Sequence, residues 1–357
     1  TLACIIFIFY LLVHRHGDRT PVEATLSFSN DREALISASA KYGYGQLTDV
    51  GINRSYELGQ FIRRRYDSLL SPYYNRSEIY IRSTDSTRAK MTVLASMAAV
   101  FPASDDNWSE SLNWTPIPYT TVPAKYDYVM NCPTFLNAYN SLFLSSPPSM
   151  ARYHGVLDAW SASLGFNLTA YPALAYAVYD VYTSQKSLGI PLAPEVEAIF
   201  PEIEKVAGAA IDVVFGDEDY IALQGGVLLN EFFTVASQAI AGEEVQKVWI
   251  YSAHDVNVYA FEAVTRVAPR QGVPKYASAY ALELRKVVDT EEYVVVPVYL
   301  NTPSEDVITF LEVEGCSGLC DFESFRSLTS KYVLDEVEYR TQCGFDASYN
   351  YDTSSID

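Results

Sequence analysis

Side chains that could perform phosphoryl chemistry are concentrated in one short segment, Leu11–Pro21, which reads L-L-V-H-R-H-G-D-R-T-P. The guanidinium groups of Arg15 and Arg19 are planar forks that can hold phosphate oxygens bidentately. His16 lies between them, where its imidazole could attack phosphorus and form a phosphohistidine. Gly17 has no Cβ, so we expect it to let a ligand approach the backbone. The alternative is that these charged residues form only a surface salt-bridge network.

The segment follows an apolar run, Leu2–Val13, which is rich in β-branched and aromatic residues and lacks alternation. This pattern is typical of a central parallel strand that is buried on both faces. Ligands of such sheets bind at the carboxyl ends of the strands, so we expect catalysis at the end of this strand. The alternative for the start of the run is the core of a signal peptide, since about 12 apolar residues are too few to span a membrane.

Two further predicted strands end in side chains of the same kind. Glu78–Arg82 is a short strand whose final arginine we expect to join the other two around one anion. The strand Val248–Tyr251 precedes His254, which can donate to a phosphate oxygen, and Asp255, which can protonate a leaving alkoxide. The alternatives are a surface ion pair for the arginine and a helix-capping role for Asp255.

Together these segments resemble, in their order along the chain, the sequence pattern of the histidine acid phosphatases. Arg15–Pro21 matches the signature R-H-G-x-R-x-P, and Gln46–Tyr66, Ile79–Arg88 (I-Y-I-R-S-T-D-S-T-R) and Ser252–Asp255 (S-A-H-D) match later parts of the pattern. The segment W-S-E-S-L-N-W, which starts at Trp108, is similar to the insect venom members. Within the family the chain therefore most resembles secreted animal enzymes of the prostatic and venom types.

The resemblance implies an acid phosphatase that hydrolyses phosphate monoesters through a covalent phosphohistidine. His16 is the implied nucleophile, and Asp255 protonates the leaving alcohol and then serves as base for the attacking water. Arg88 matches a helix position of the family and is expected to buttress the site. No cofactor and no metal are expected, because arginines supply the positive charge. The implied phosphate-binding residues are Arg15, Arg19, Arg82 and His254.

For the fold, we expect an α/β protein with a central mixed, mostly parallel sheet flanked by helices. Residues 1–101 and 243–357 are predicted to form the α/β core, and residues 102–242 a smaller, mainly α-helical cap inserted in the chain. Two strands, Tyr280–Val288 and Tyr293–Leu300, are predicted to form a hairpin. The resemblance implies that the cap supplies walls of the substrate pocket.

One helix of the predicted core has a clear beginning. Thr48 is expected to act as its N-cap, and its Arg63–Arg65 run is interpreted as a solvated face. The residues predicted for its apolar stripe are Ile52, Tyr56, Leu58, Phe61, Ile62 and Leu69.

The charge of the chain limits its partners. The 357 residues have a formal net charge of −19 and a sequence pI near 4.6. This charge argues against nucleic-acid binding, and long-range steering of an anionic substrate would be unfavourable, so phosphate capture must be local. We expect small-molecule or protein phosphate monoesters as substrates, no membrane span, and a monomer or homodimer.

Five cysteines and five glycosylation sequons favour an oxidising compartment, so we expect a secreted or lysosomal glycoprotein. The resemblance implies one long-range disulfide, Cys132–Cys343, and one short loop disulfide, Cys316–Cys320, which leaves Cys4 unpaired. The sequon asparagines are Asn53, Asn75, Asn107, Asn113 and Asn167.

Three other interpretations stay open. A phytase-like or phosphomutase-like member of the same superfamily would share the site, and a secreted venom or salivary binding protein could keep the fold without catalysis. His14 and His16 could bind a metal together, but the neighbouring arginines disfavour a cation. His154, on a polar stretch, is expected to be a surface or hydrogen-bonded residue.

Overall fold

The structure is a computed structural model that describes residues 5–103, 108–109, 111–127 and 132–345. The strands are β1 Ile5–Arg15, β2 Ile79–Thr84, β3 Thr120–Val122, β4 Val248–Ala253, β5 Val267–Ala268, β6 Ala279–Val287, β7 Tyr293–Leu300, β8 Ile308–Phe310, β9 Glu312–Val313 and β10 Cys320–Asp321. The helices are α1 Arg32–Ser39, α2 Asp49–Tyr66, α3 Thr87–Val100, α4 Pro133–Phe143, α5 His154–Leu164, α6 Ala175–Ser187, α7 Pro194–Ala198, α8 Phe200–Phe215, α9 Ala222–Ile240, α10 Asp255–Val264, α11 Phe322–Thr329 and α12 Glu336–Gln342.

The main sheet is mixed, with the strand order β10-β7-β6-β1-β4-β2-β3, and β8 also pairs with β7. The pairs β1–β4, β4–β2 and β2–β3 are parallel, whereas β1–β6, β6–β7, β7–β10 and β7–β8 are antiparallel. The predicted mixed α/β fold is confirmed, but the sheet is only partly parallel rather than mostly parallel, because pairing is parallel on one side of β1 and antiparallel on the other. The predicted hairpin is the β6–β7 pair.

β1 lies at the centre of this sheet because its side chains are apolar on both faces. Phe9, Leu11 and Val13 pack into one hydrophobic cluster, while Tyr10 and Leu12 pack into a second cluster on the other face. The interpretation of the apolar run as a strand is confirmed from residue 5 onward, and Cys4 lies outside the described residues.

Helices α2 and α3 cover the face that carries Tyr10 and Leu12. Thr48 is the N-cap of α2, as predicted, and its Oγ1 accepts a hydrogen bond from the Gly51 N–H at 3.2 Å. The helices meet so closely at Gly59 that a Cβ there would lie 2.0 Å from the Ser96 carbonyl oxygen. Any larger residue would therefore push α2 away from α3.

Two predictions about α2 are wrong. Ile52 and Tyr56 are 39% and 40% exposed, so they lie outside the buried stripe. Arg65 does not lie on a solvated face, because it forms an ion pair at 2.7 Å with Glu283, whose side chain is fully buried. The helix periodicity could not reveal this partner, which is on β6.

The opposite face of the sheet packs against α9, α10 and the helices α4 to α8. Phe9 of β1 stacks on Phe232 of α9 at a centroid distance of 5.7 Å, and Val206 of α8 and Phe261 of α10 are fully buried in the same cluster. β3, which follows residue 101, extends the sheet beside β2. The division into a core of residues 1–101 and 243–357 and a cap of residues 102–242 stays a prediction.

Both expected disulfides are present in the structure. Cys132–Cys343 joins the start of α4 to the end of α12, and Cys316–Cys320 closes a short loop. Four sequon asparagines are exposed, and Asn107 lies outside the described residues. None of the described helices is long and apolar enough to cross a membrane. The exposed sequon asparagines are Asn53, Asn75, Asn113 and Asn167.

Candidate active site

Strand register brings the predicted site residues together at one edge of the sheet. Arg15, the last residue of β1, lies opposite Ala253, the last residue of β4, and the His16 N–H donates to the Ala253 carbonyl at 3.1 Å. His254 and Asp255 follow β4 directly. The side chains of these residues therefore converge where the parallel strands end, as expected.

Gly17 has a role different from the predicted approach of a ligand. A Cβ on Gly17 would lie 2.2 Å from the Gly51 carbonyl oxygen and 2.6 Å from Ser55 Oγ. The space beside Gly17 is thus filled by the first turn of α2, and its N–H donates to Thr92 Oγ1 at 3.1 Å. The glycine lets the loop lie directly on α2 and α3, which fixes the backbone on either side of it.

His16 is buried and has one ring nitrogen left for chemistry. Its Nδ1 lies 2.8 Å from the Gly17 carbonyl oxygen, which can only accept, so the proton is on Nδ1 and Nε2 keeps its lone pair. Burial, and then the positive charges of Arg88 and Arg15, hold the pKa of His16 well below its ordinary value. The imidazole therefore stays neutral, with Nε2 as a nucleophile, at acidic pH.

His254 lies beside His16, with their ring centroids 5.3 Å apart. Arg88 Nη2 lies 3.1 Å from His254 Nδ1, and a guanidinium only donates, so Nδ1 accepts and Nε2 carries the proton. That Nε2–H group is 3.1 Å from Thr84 Oγ1. Burial and the adjacent arginines lower the pKa of His254 well below its usual value. His254 is thus a neutral donor.

Asp255 is not the helix N-cap that the sequence offered as an alternative to catalysis. It is the first residue of α10, after the N-cap His254, and its Oδ1 accepts from the Val256 N–H at 3.0 Å. Its Oδ2 lies 3.0 Å from Arg15 Nη2. The carboxylate thus contacts the first turn of the helix and Arg15; its predicted role as the proton donor stays a proposal.

Asp180 of α6 was not foreseen from the sequence and binds two of the predicted phosphate ligands. Its Oδ1 accepts from Arg15 Nη2 at 3.0 Å, and its Oδ2 accepts from Arg19 Nη2 at 2.7 Å. Burial favours the neutral acid, but the charges of Arg19 and Arg15 outweigh it and hold the pKa of Asp180 below its ordinary value. One signal was available: Asp180 is the only charged residue in the otherwise uncharged segment Ala175–Gln185.

The sequence also gave no indication of Tyr276, whose ring stacks against the Arg15 guanidinium. The Arg15 guanidinium lies 4.3 Å from the centre of the Tyr276 ring, and its Nη1 donates to the Pro274 carbonyl at 2.7 Å. The Tyr276 hydroxyl is 2.8 Å from Ser184 Oγ on α6. The fork is therefore held by a stacked ring and a carbonyl as well as by carboxylates.

The third arginine beside the histidines is Arg88. It hydrogen-bonds His254, and burial followed by the charge of Arg19 lowers its pKa to about 10. Arg82 is also buried, and its Nη2 lies 2.5 Å from Asp127 Oδ1. Its predicted part in phosphate binding stays a proposal.

Three hydrogen-bond donors of this site have no acceptor. The Nε atoms of Arg15, Arg19 and Arg88 are buried and unpartnered within the described part of the chain. A buried donor without an acceptor is costly, and an anion that enters the site would supply acceptors. Three guanidinium groups face two carboxylates and two neutral imidazoles, so the site has an excess of positive charge.

The other histidines lie apart from this chemistry. His154 begins α5 and is exposed. His14 is buried, its Nδ1 is 3.1 Å from the Arg15 carbonyl oxygen, and burial lowers its pKa to about 4. Among the described residues, no three His, Cys, Asp or Glu side chains are arranged to hold a metal ion.

The chain is similar to known phosphatases along most of its length. The family model of the histidine phosphatase superfamily (branch 2) matches residues 7–141. Prostatic acid phosphatase of Bos taurus is 30% identical over 341 residues, which are 92% of this chain and 86% of the relative. Testicular acid phosphatase of Mus musculus is 32% identical over 342 residues, which are 90% of this chain and 79% of the relative.

Solved structures show the same fold at low identity. The phytase from Citrobacter braakii matches with a TM-score of 0.68 and 14% identity, over 94% of this chain and 99% of the phytase. A Hafnia alvei phytase in complex with tartrate matches with a TM-score of 0.68 and 15% identity, over 94% and 98% of the two chains. At this identity the likeness describes the architecture alone.

Proposed function

The chain belongs to branch 2 of the histidine phosphatase superfamily, and from this membership we propose that it is an acid phosphatase. Its substrates are phosphate monoesters, either small molecules or phosphorylated proteins. The phosphoryl group passes through a covalent phosphohistidine at His16. The curated relatives named above are acid phosphatases, and this chain covers more than three quarters of their length.

One observation carries the proposal: a neutral, buried His16 with a free Nε2 is surrounded by arginines whose Nε donors have no acceptor. A phosphate ester would supply those acceptors and bring its phosphorus to the imidazole. In a site closed to water, charge-assisted hydrogen bonds to the equatorial oxygens are stronger than in solvent. The arginines thereby stabilise the charge of the transition state.

The first step forms the phosphoenzyme. His16 Nε2 attacks phosphorus, the P–N bond forms, and the bond to the leaving oxygen breaks. Asp255 gives its proton to that oxygen, which departs as the alcohol. Arg15, Arg19, Arg82 and His254 bind the phosphoryl oxygens, and Arg88 orients His254 through the hydrogen bond to its Nδ1.

The second step returns the enzyme to its starting state. Water attacks the phosphoryl group, Asp255 accepts a proton from the water, and the P–N bond breaks to release phosphate and neutral His16. We expect activity to be greatest in the acid range. The lowered pKa of His16 keeps the nucleophile unprotonated there, while the leaving group still receives a proton from Asp255.

The cellular setting follows from the cysteines and the sequons. Two disulfides and exposed sequon asparagines support a secreted or lysosomal glycoprotein. The proposal also includes a monomeric or homodimeric state. Both disulfides form only in an oxidising compartment, so native protein should contain them. Peptide mapping without reduction tests this setting, and free thiols at Cys316 and Cys320 would contradict it.

Hydrolysis of p-nitrophenyl phosphate at acidic pH tests the proposed function. We expect the glycosylated chain to turn over this substrate, and His16→Ala to lose about 10⁴-fold or more of kcat, because no nucleophile remains. Wild-type protein that binds phosphate without hydrolysing any ester would instead be a binding protein with this fold. His16→Ala with substantial residual activity would remove His16 from its role.

A further inference from the structure

Asp180 lies in the helical region, yet among the described residues it is the carboxylate shared by two predicted phosphate-binding arginines. Arg15 Nη2 is 3.0 Å from Asp180 Oδ1 and also 3.0 Å from Asp255 Oδ2. Arg19 Nη2 lies 2.7 Å and 2.9 Å from the two Asp180 oxygens. All four side chains are less than a tenth exposed, so these contacts are little screened by water.

This arrangement creates a conflict for the proton that catalysis needs. A carboxyl group that donates its proton to the leaving oxygen must first be protonated. The ion pair with Arg15 requires the charged carboxylate, so a proton on Asp255 and this ion pair exclude each other. When Asp255 takes up its proton, Arg15 needs another anionic partner, because a buried guanidinium without one is strongly disfavoured.

We propose that Asp180 is a positioning residue that holds Arg15 and Arg19 in place of Asp255, so that Asp255 can carry the proton for the leaving group. The proposal rests on the proposed function and adds a residue to it. Asp180 stays a carboxylate throughout the cycle, and Arg15 exchanges its contact with Asp255 for a phosphoryl oxygen. Of the two carboxyl groups, those of Asp180 and Asp255, only that of Asp255 then takes up and releases a proton.

The surroundings of Asp180 support this division of roles. Among the described residues, Asp180 contacts both arginines, with two contacts to Arg19, whereas Asp255 contacts Arg15 alone. The nearby tyrosines, buried Tyr176 and Tyr276 and partly buried Tyr139, have pKa values raised by burial, so they are neutral in acid. The charged and titratable groups around the two carboxylates are Arg15, Arg19, Arg88, His254, Tyr139, Tyr176 and Tyr276.

Helix α6 also fixes the position of this carboxylate. Val178 and Val181, two residues before and one residue after Asp180, are fully buried, and Ser184 one turn later contacts the hydroxyl of Tyr276. Tyr276 in turn stacks under Arg15. The same helix thus places a carboxylate at the edge of the Arg15 fork and anchors the ring beneath it.

The test compares two substrates that differ in their need for a proton. An alkyl phosphate has a poor leaving group, whereas the p-nitrophenolate leaving group departs without protonation. In Asp180→Asn, Arg15 has only Asp255 as a carboxylate partner, which opposes protonation of Asp255. We expect kcat/KM to fall about 30- to 100-fold for ethyl phosphate but only about 3- to 10-fold for p-nitrophenyl phosphate. The pH optimum for ethyl phosphate should move to lower pH.

Controls separate this role from a purely structural one. Asp212→Asn removes a half-exposed carboxylate of α8 that also pairs with an arginine, Arg270. It should change neither the ratio of the two kcat/KM values nor the pH optimum. Asp180→Glu keeps the charge but displaces it by one methylene. It should therefore also lose more kcat/KM on ethyl phosphate than on p-nitrophenyl phosphate, but by a smaller factor than Asp180→Asn. It also serves as the test if Asp180→Asn does not fold.

The outcomes are distinguishable. Equal losses on the two substrates with an unchanged pH profile, in either Asp180 variant, would overturn the inference and leave Asp180 as a structural ion pair. A wild-type chain that hydrolyses neither ester would refute the proposed function itself. A selective loss on ethyl phosphate together with the shifted optimum supports both.

Discussion

Two buried clusters of charged side chains lie along β1 and its neighbours. They differ in whether the Nε donors of their arginines have hydrogen-bond acceptors. The first, the site cluster, is at the carboxyl end of β1. The second, the Glu283 cluster, is centred on β6 beside the first half of β1. The site cluster consists of Arg15, Arg19, Arg88, Asp180 and Asp255, and the Glu283 cluster of Glu283, Arg65, Arg285 and Tyr66.

In the Glu283 cluster the Nε atoms of both arginines are directed at one carboxylate, and Arg65 Nη2, which has no hydrogen-bond partner in the described chain, lies 2.7 Å from the same carboxylate. The Nε atoms of Arg65 and Arg285 donate to Glu283 at 2.8 and 2.9 Å, and the Tyr66 hydroxyl donates at 2.8 Å. Both arginines are about a seventh exposed, at 14% and 15%, and stack on Phe7. Solvent and an aromatic ring therefore balance the remaining positive charge.

In the site cluster the corresponding donors are left without an acceptor. The Nε atoms of Arg15, Arg19 and Arg88 have no partner in the described chain, and the side chains of Arg15 and Arg19 are only 3% and 7% exposed. Similar charged groups thus have different roles in the two clusters. The hydrogen-bonded Glu283 carboxylate stabilises the fold, whereas the unsatisfied guanidinium donors around neutral His16 can bind an anion.

The largest effect expected from this comparison is on catalysis at the site cluster. Arg19→Ala should lower kcat/KM for p-nitrophenyl phosphate about 10²- to 10³-fold, because one charge-assisted donor to the transition state is lost. Steady-state kinetics checks this. A loss within about threefold would show that Arg19, like Arg65, is structural.

The matched substitution in the Glu283 cluster, Arg65→Ala, should lower stability and leave catalysis unchanged. Arg65→Ala leaves the buried Glu283 with one arginine fewer, so the free energy of unfolding should fall by about 3 kcal/mol. The kcat/KM value should stay within about twofold of wild type. Urea unfolding followed by circular dichroism measures the first quantity. Unchanged stability would mean that Arg285 and Tyr66 suffice for Glu283.

Inorganic phosphate should distinguish the clusters directly. At about 100 times its Kd, phosphate should stabilise the wild-type chain by about 2.7 kcal/mol through mass action, and Arg65→Ala by the same amount. Arg19→Ala should gain far less at the same concentration. Urea unfolding with and without phosphate measures this, and sodium chloride at equal ionic strength controls for general salt effects. Equal stabilisation of all three proteins would place the anion elsewhere.

Much of the site was predictable because its residues follow strands directly. Arg15, His16, His254 and Asp255 are fixed by where β1 and β4 end, and a run of buried residues reveals such ends. Asp180 came from a helix more than 160 residues away from Arg15, and no local periodicity connects the two. Arg65 was misjudged for the same reason, since its partner belongs to a distant strand.

In the fold, too, features set by local sequence were predictable and features set by tertiary packing were not. The apolar run predicted β1, and Thr48 predicted the start of α2, because both signals are local. Gly17 was misinterpreted since its close neighbour, the Gly51 carbonyl, depends on how α2 packs on the loop. Backbone contacts of this kind arise from tertiary packing and leave no spacing pattern in the sequence.

The smallest predicted effect concerns protonation at the site end of β1. The folded chain keeps His14 neutral, with a pKa near 4, whereas the unfolded chain binds the proton near pH 6.5. The unfolding free energy should therefore decrease as pH falls from about 7 to 4.5. His14→Asn keeps a donor for the Arg15 carbonyl and removes this titration. Over that pH range its unfolding free energy should therefore decrease by about 2 to 3 kcal/mol less than that of the wild type. Identical pH dependence of the two proteins would contradict the buried neutral state.

In the proposed mechanism the unsatisfied arginines hold a phosphoryl group on His16. The most direct test is to quench turnover of a labelled phosphate ester in alkali, digest the protein and map the label by mass spectrometry. We expect label on the peptide that contains His16, stable in alkali and lost in acid, and no label in His16→Ala. Label on another residue, or full activity with no covalent label after rapid quenching, would refute the phosphohistidine.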